Sequence, residues 1–570
     1  MESLLETFTA KERKQNGVHY TPEILADFVA EVIVSAWLKE NPDHKKSLRI
    51  IDPAVGDGEL LLSLLKSLKA NKMTASNVSA FDTNKNATQY TAKRITPYCL
   101  ANSLVTKNED FLEFALTFEN QLFRTEEEPF DLVIANPPYV RTQQLGAKEA
   151  QRVSSQFDLS GRVDLYHAFI KGIELVLKPR GIAGIIVSNR FMTTKGGNAV
   201  REAIKEKFDI IQVWDLGDTK LFEAAVLPAV LLLRKKEKKH YEQVAKFSTI
   251  YSATIEATVT APSYANAIKA LKTEGHVNIN GDIYCVQHGL LETGDVWRLS
   301  NAKTDNWLEQ VKKNTYCVFG DVGKIAVGVK STADKVFIRT DWDDLPADEK
   351  PELLKALITH HAARRFKALK TKKKREILYP HACSNGKRYA VDIKDYPASK
   401  AYLEKHRVTL ESRKYVIEAG RNWYELWVPQ DPEAWKKPKI VFRDISEKPE
   451  FWIDLNGGIV NGDCYWLTAS SGENIDLLWL ILAVGNSTFI EQFYDKSFNN
   501  KLYAGRRRFM TQYVQKFPLP SPKTKLGKKL ITFAQTIFNL LPDNDTAELE
   551  KELDQLVWES FGLTGKEISG

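Results

Sequence analysis

The chain has 570 residues, 43% hydrophobic and 27% charged, with a net charge of +7. These fractions fit a globular protein, and the length suits two or three domains rather than one. No apolar run reaches membrane-spanning length, the polar N-terminus MESLLETFTAKERKQNG does not read as a secretory signal, and five scattered cysteines form no CxxC pair, so a membrane protein, a disulfide framework and a structural zinc site are not expected, and a cytoplasmic location is.

Residues 1–240 alternate short apolar runs with helix-like segments. Residues 48–51 predict a buried strand, the apolar stretch after Gly58 a helix, and 78–81 a second strand. Residues 131–135 predict another strand, ending at a double proline. Residues 165–178 have helical apolar spacing, and 182–187, 210–214 and 229–233 again read as strands. Such alternation indicates an α/β fold with a mostly parallel sheet covered on both faces. After the basic run at 234–239 the texture changes. Residues 241–310 read as a connecting region, 311–522 as an aromatic-rich, basic domain, and 523–570 as a helical C-terminal segment.

Two segments carry chemistry. Asn136-Pro137-Pro138-Tyr139 directly follows a predicted strand. Two prolines make this a rigid loop at a strand's carboxyl end, where open α/β sheets bind ligands. The Asn136 side-chain oxygen and the Pro137 carbonyl are suited to accept hydrogen bonds from an exocyclic amino group, directing its lone pair at an incoming methyl group. Tyr139 is placed to stack on a base. The second segment, Asp52-Pro53-Ala54-Val55-Gly56-Asp57-Gly58-Glu59, lies between a predicted strand and helix, and its glycines allow a ligand close to the backbone.

These segments, with Gly17-Val18-His19-Tyr20-Thr21-Pro22 before them, resemble the gamma-class, TaqI-like and Eco57I-related DNA adenine-N6 methyltransferases of restriction-modification systems. The likeness spans residues 17–234 and continues more loosely over 307–520, through Gly328 to Lys335 and Arg506-Arg507-Arg508-Phe509. It implies a Rossmann-like class I methyltransferase domain followed by an α+β target-recognition domain. It implies S-adenosyl-L-methionine as cofactor, S-adenosyl-L-homocysteine as product, and no metal. By position, Thr21 is expected to bind the cofactor's carboxylate, Asp52 its amino group and Asp82 its ribose hydroxyls. Ala54, Gly56, Gly58 and Asn136 would line the site. Asp110 would take the cofactor's adenine amino group, with the Phe111 ring packed on that adenine, and Phe222 would pack on a flipped target base. The family often has a small residue at Val55, Ser at Asp57 and Phe at Glu59, so a charge at Glu59 departs from its pattern.

About 25 residues separate Asp110 from Asn136, too few for a recognition domain, so DNA reading falls to the C-terminal half. From His361 to Arg388 there are ten Lys or Arg and one acid, Glu376. Arg364, Arg365, Lys372, Lys373, Lys374, Arg375, Arg506, Arg507 and Arg508 are the candidate phosphate contacts, a solvated face being the alternative. The expected substrate is double-stranded DNA in a bacterial or archaeal host, with a separate cognate restriction endonuclease as possible partner. RNA, a protein glutamine and cytosine N4 stay open as targets of the same loop.

Overall fold

The computed structural model describes residues 21–564 apart from 43–46, 120–126, 141–145, 160–163, 222–226, 238–243, 254–260, 370–373, 470–474, 499–501 and 503–505. Residues 17–20, Phe222, Lys372 and Lys373 therefore lie outside the described residues. The chain divides into two compact units, Met1–Ala302 with Phe498–Gly505, and Lys303–Ser497 with Arg506–Gly570. Among the described residues no helix is long and apolar enough to cross a membrane.

The first unit is built on strands β1 (Leu48–Asp52), β2 (Ala75–Phe81), β3 (Leu104–Lys107), β4 (Phe130–Ala135), β5 (Leu177–Ser188), β6 (Phe208–Asp215), β7 (Pro228–Lys235) and β8 (Lys246–Ser252). Their order is β3-β2-β1-β4-β5-β7-β6-β8. The first five are parallel, and β7 runs against both β5 and β6. Helices α1 (Glu23–Glu40), α2 (Glu59–Ala70), α3 (Lys85–Ile95), α4 (Phe111–Leu116), α5 (Ala147–Gln156) and α6 (Tyr166–Val176) connect or precede these strands. Alternate residues enter different cores: Ile51, Val133 and Ile185 join one apolar cluster, Ile50, Leu132 and Ile182 the other. Burial on both faces explains why the strands read as continuous apolar runs rather than alternating ones.

Chain order reverses between β1 and β4, which lie side by side with Ile50 opposite Leu132 and Ile51 opposite Val133. The turn after β1 and the loop after β4 thus leave the same sheet edge at its switch point, the usual binding crevice of this architecture. That brings together segments 84 positions apart in sequence.

The structure differs from the sequence reading beyond residue 240. Strands β8, β9 (Ser263–Tyr264), β10 (Gly275–Ile279), β11 (Asp282–Thr293) and β12 (Trp297–Ser300) extend the same sheet. Residues 241–302 of the segment read as a connecting region thus belong to the first unit, and 303–310 to the second. Its strands mix polar residues such as Ser248 and Thr249, both buried, into the apolar pattern, which hides the period.

The second unit contains two four-stranded sheets. One orders Ile325–Val327, Cys464–Leu467, Lys439–Arg443 and Phe451–Asp454; the other orders Ile338–Arg339, Glu376–Leu378, Leu354–Ile358 and Ile459–Val460. Trp342, Tyr379, Tyr424, Trp435, Trp452 and Trp466 fill its core, so the aromatic richness seen in the sequence is mostly packing. The apolar helix Ile475–Gly485 packs against Lys525–Leu540 and Ala547–Ser560.

Candidate active site

The Asn136 side chain is fixed from both ends. Its Nδ2 donates to Thr21 Oγ1 at 3.0 Å, and its Oδ1 accepts from the Tyr139 hydroxyl at 2.9 Å. Donation to Thr21 orients the amide, because only the nitrogen end can donate. Tyr139 is in turn packed edge-on against Tyr166 of α6, ring centres 6.2 Å apart. Burial pushes the Tyr139 hydroxyl well above its ordinary pKa, so it stays protonated and stays a donor. A carbonyl oxygen has two lone pairs, and Tyr139 engages one of those on Oδ1. Thr21 is buried; sequence resemblance assigned it to a cofactor, and the structure adds its bond to Asn136.

The turn after β1 is built around carboxylates. Asp52 is fully buried: its Oδ1 accepts from the Ala54 amide at 3.0 Å, and its Oδ2 is buried without a hydrogen-bond partner. Burial raises its pKa from 3.8 to about 8; the Ala54 amide works against that rise, and the nearby Asp82 and Asp57 add to it. Asp82, at the end of β2, accepts from Gly56 N at 3.0 Å and Asn84 N at 2.8 Å, and burial raises it too. Gly56 has φ +53°, and nothing lies within 4 Å of where a Cβ would stand. Gly58, φ +81°, would bring a Cβ to 2.8 Å from Thr91 Cγ2 of α3. One glycine thus leaves open space beside the turn, and the other permits close packing of α3.

This donor set fits the amino group and sulfonium of S-adenosylmethionine. An orphaned buried carboxyl oxygen is costly unless a donor meets it, and Asp52 and Asp57 on this turn, with Asp82 at the end of β2 beside them, favour a positively charged ligand. The departure at Glu59 does not disturb this. Its carboxylate is held by Arg94, whose guanidinium also lies 3.8 Å from Asp57 and donates to the Asp57 carbonyl at 3.0 Å.

Asp110 caps α4, its Oδ1 accepting from Leu112 N at 2.8 Å, and Arg152 of α5 stands 3.7 Å from its Oδ2. Arg152 was not singled out in the sequence; it also pairs with Glu149 at i,i+3 on its own helix, an ordinary helix-surface spacing. Phe111 is a core ring, 2% exposed, stacked at 5.5 Å on Phe169 and edge-on to Phe81. In this structure its ring is engaged by protein on these sides rather than standing open to a ligand.

In the second unit the sequence-predicted phosphate contacts separate into two groups. Arg365 pairs with Glu550 at 3.0 Å and donates to the Asn486 carbonyl at 2.5 Å. Arg507 is clamped by Asp495 through two bonds of 2.8 and 2.9 Å and donates to the Glu447 carbonyl. Arg507, 11% exposed, is an internal strut, a correction to its reading as a phosphate contact, whereas Arg365, 37% exposed, is paired but not enclosed. Arg508 pairs with Asp444 at 3.1 Å and is about as exposed as Arg365, and Lys374 pairs with Glu376 at 2.6 Å with most of its side chain exposed. Arg506 is exposed, and Arg364 and Arg375 are half-buried.

Comparison with known proteins agrees with this geometry. Residues 1–312 match the N-6 DNA methylase family, and residues 367–519 match the TaqI-like C-terminal specificity domain. The Type II methyltransferase M.BanIII of Aneurinibacillus aneurinilyticus is 38% identical over 99% of this chain and 100% of its own length. The Type II methyltransferase M.BstVI of Geobacillus stearothermophilus is 23% identical over 98% of each. Among solved structures, a nuclease-deletion mutant of the Type ISP restriction-modification enzyme LlaGI, in complex with a DNA substrate mimic, shares the fold. It matches with TM-score 0.54 at 12% identity, over 92% of this chain and 47% of that one. The chain thus belongs to the N-6 DNA methylase family, the S-adenosylmethionine-dependent DNA methylases, and carries a TaqI-like specificity domain later in its sequence.

Proposed function

We propose that this enzyme methylates the N6 amino group of adenine at specific sites in double-stranded DNA, by direct transfer and without a metal. The observation that supports this best is the clamped Asn136 amide, held between Thr21 and Tyr139 at the edge where the Asp52 turn also opens. S-adenosylmethionine supplies an electrophilic methyl group on a sulfonium, so the protein's task is positioning and electrostatics. Adenine N6 is a poor nucleophile because its lone pair is delocalised into the ring. Acceptance of its two N–H bonds by Asn136 Oδ1 and the Pro137 carbonyl favours the tetrahedral nitrogen and takes up developing positive charge. The lone pair forms the N–C bond, the C–S electron pair returns to sulfur, and the extra proton leaves from N6 to solvent.

Base chemistry inside a duplex requires flipping, at a cost of a few kcal/mol. Stacking on Tyr139, and on Phe222 from the segment outside the described residues, is the proposed compensation. Thr21, Asp52, Ala54, Gly56, Gly58, Asp82, Asp110 and Phe111 are assigned to the cofactor. Arg364, Lys372, Lys373, Lys374, Arg375, Arg506 and Arg508 remain the proposed phosphate contacts. Full-length similarity to Type II methyltransferases favours DNA over RNA or a protein amide; a separate cognate endonuclease and a cytoplasmic setting belong to the same proposal. Asn136→Ala should keep most cofactor affinity in calorimetry and lose methyl transfer. Turnover at the wild-type rate in that variant would refute the assignment.

A further inference from the structure

Strand β5 lies beside β4 in parallel, with Ile185 opposite Ala135. Asn136 follows Ala135, while β5 runs on for three further residues to Ser188, about 10 Å at the usual rise per residue. The turn Asn189–Met192 that follows β5 therefore stands outward of Asn136 on the same sheet edge. Its backbone is held from several directions. Asn189 is buried: its backbone N–H donates to the Leu227 carbonyl at 2.9 Å, and its Nδ2 donates to Asp215 Oδ1 at 3.1 Å and to the Tyr251 hydroxyl at 2.9 Å. The Tyr251 hydroxyl donates in turn to Asp215 Oδ2 at 2.7 Å. Two residues on, Phe191 is buried edge-on against Trp297, and its carbonyl accepts from Arg201 at 2.5 Å.

Between these two anchors stands Arg190, which is exposed. Every other described arginine of this unit has its guanidinium in an ion pair or a hydrogen bond. Among the described residues, none makes either with the guanidinium of Arg190. Its charge is felt at the site. Burial raises the Tyr166 hydroxyl well above its ordinary pKa, Asp164 and Tyr139 add to that rise, and Arg190 and Arg201 oppose it. Tyr166 is the ring against which Tyr139 packs. A merely solvated cation needs no such mount. A fixed, unpaired guanidinium is suited to an anion with two oxygens side by side, as a phosphate has.

We propose that Arg190 binds the backbone phosphate beside the target nucleotide, fixing the strand from which the base is flipped toward Asn136. This rests on the DNA reading above. A base whose amino group meets Asn136 carries its sugar and phosphate outward from the sheet edge, toward the level of Arg190. Because the backbone on both sides of Arg190 is already anchored, little ordering is left to the moment of binding.

The test is methyl transfer from radiolabelled S-adenosylmethionine to genomic DNA of a host lacking the enzyme, by full-length wild type, Arg190→Gln and Arg190→Lys, over a range of salt. Loss of a hydrogen-bonded charge pair should lower kcat/KM for DNA roughly tenfold to hundredfold in Arg190→Gln. The salt slope of kcat/KM should fall by about one in that variant. Arg190→Lys, which keeps the charge but not the fork, should keep the slope and recover part of the rate. Cofactor affinity in calorimetry should match wild type in both variants, since removing this exposed side chain breaks no bond within the protein. Wild-type kcat/KM in Arg190→Gln overturns the inference, and so does a lower rate with an unchanged salt slope. Loss of cofactor affinity along with activity marks a structural role and overturns it too. If wild type methylates no DNA, the DNA reading itself fails and takes the inference with it.

Discussion

Asp52→Asn should make the cofactor-free enzyme more stable while abolishing cofactor binding. The carboxyl is fully buried, one oxygen has no partner, and its pKa stands at about 8 against an ordinary 3.8. The folded state therefore keeps a proton that the unfolded chain releases between those values. Stability from this group is fullest below the unfolded pKa and is lost as pH rises toward 8, by up to about 1.4 kcal/mol per pH unit. From pH 5 to pH 8 the ceiling is about 4 kcal/mol. Asparagine cannot ionise, so that slope should vanish. Denaturant unfolding of the apoenzyme at pH 5 and pH 8 reads it: the variant's advantage should be larger at pH 8. Added S-adenosylmethionine should then raise the melting temperature of wild type and leave the variant where it was. A variant that is less stable at pH 8, or that keeps wild-type cofactor affinity, would show that Asp52 is not a strained carboxylate awaiting a cationic partner.

Tyr139→Phe keeps the ring against Tyr166 but removes the hydroxyl bonded to Asn136 Oδ1. With that bond worth about 1 kcal/mol, kcat should fall roughly tenfold or less and cofactor affinity should hold; a loss as deep as that of Asn136→Ala would mean that the hydroxyl itself takes part in the transfer. In the specificity domain, Lys439 is fully buried and pairs with Asp454 at 2.6 Å. Lys439→Ala strands that carboxylate and should cost about 3–5 kcal/mol in denaturant unfolding, whereas a cost below 1 kcal/mol would show that water reaches the pair. Arg507→Ala should lower the melting temperature more than it changes the salt slope of DNA binding, since Asp495 and Glu491 hold its guanidinium; the reverse pattern would return Arg507 to the DNA-contact set.

Much of the catalytic unit was legible because its signals are local. The strand-turn at Asp52 and the strand-loop at Asn136 each declare themselves within eight residues, and parallel pairing of β1 with β4 makes them neighbours. The bond from Asn136 to Thr21 was not legible, because its ends lie 115 positions apart. Basic residues misled for the same reason. Arg365 meets the Asn486 carbonyl 121 positions away, so a run of cations that looks uniform in sequence faces several ways in space. Phe111 was read only as a cofactor contact, and its packing on Phe169 and Phe81 shows how far the ring is enclosed.

The central claim is transfer to adenine N6 in DNA, and modified bases in the DNA of a host expressing the enzyme test it most directly. Single-molecule sequencing with mass analysis of the hydrolysed nucleosides should find N6-methyladenine at one short recurrent sequence, absent when the host carries Asn136→Ala. N4-methylcytosine in its place, or unmodified DNA alongside methylated RNA or protein, would contradict the account.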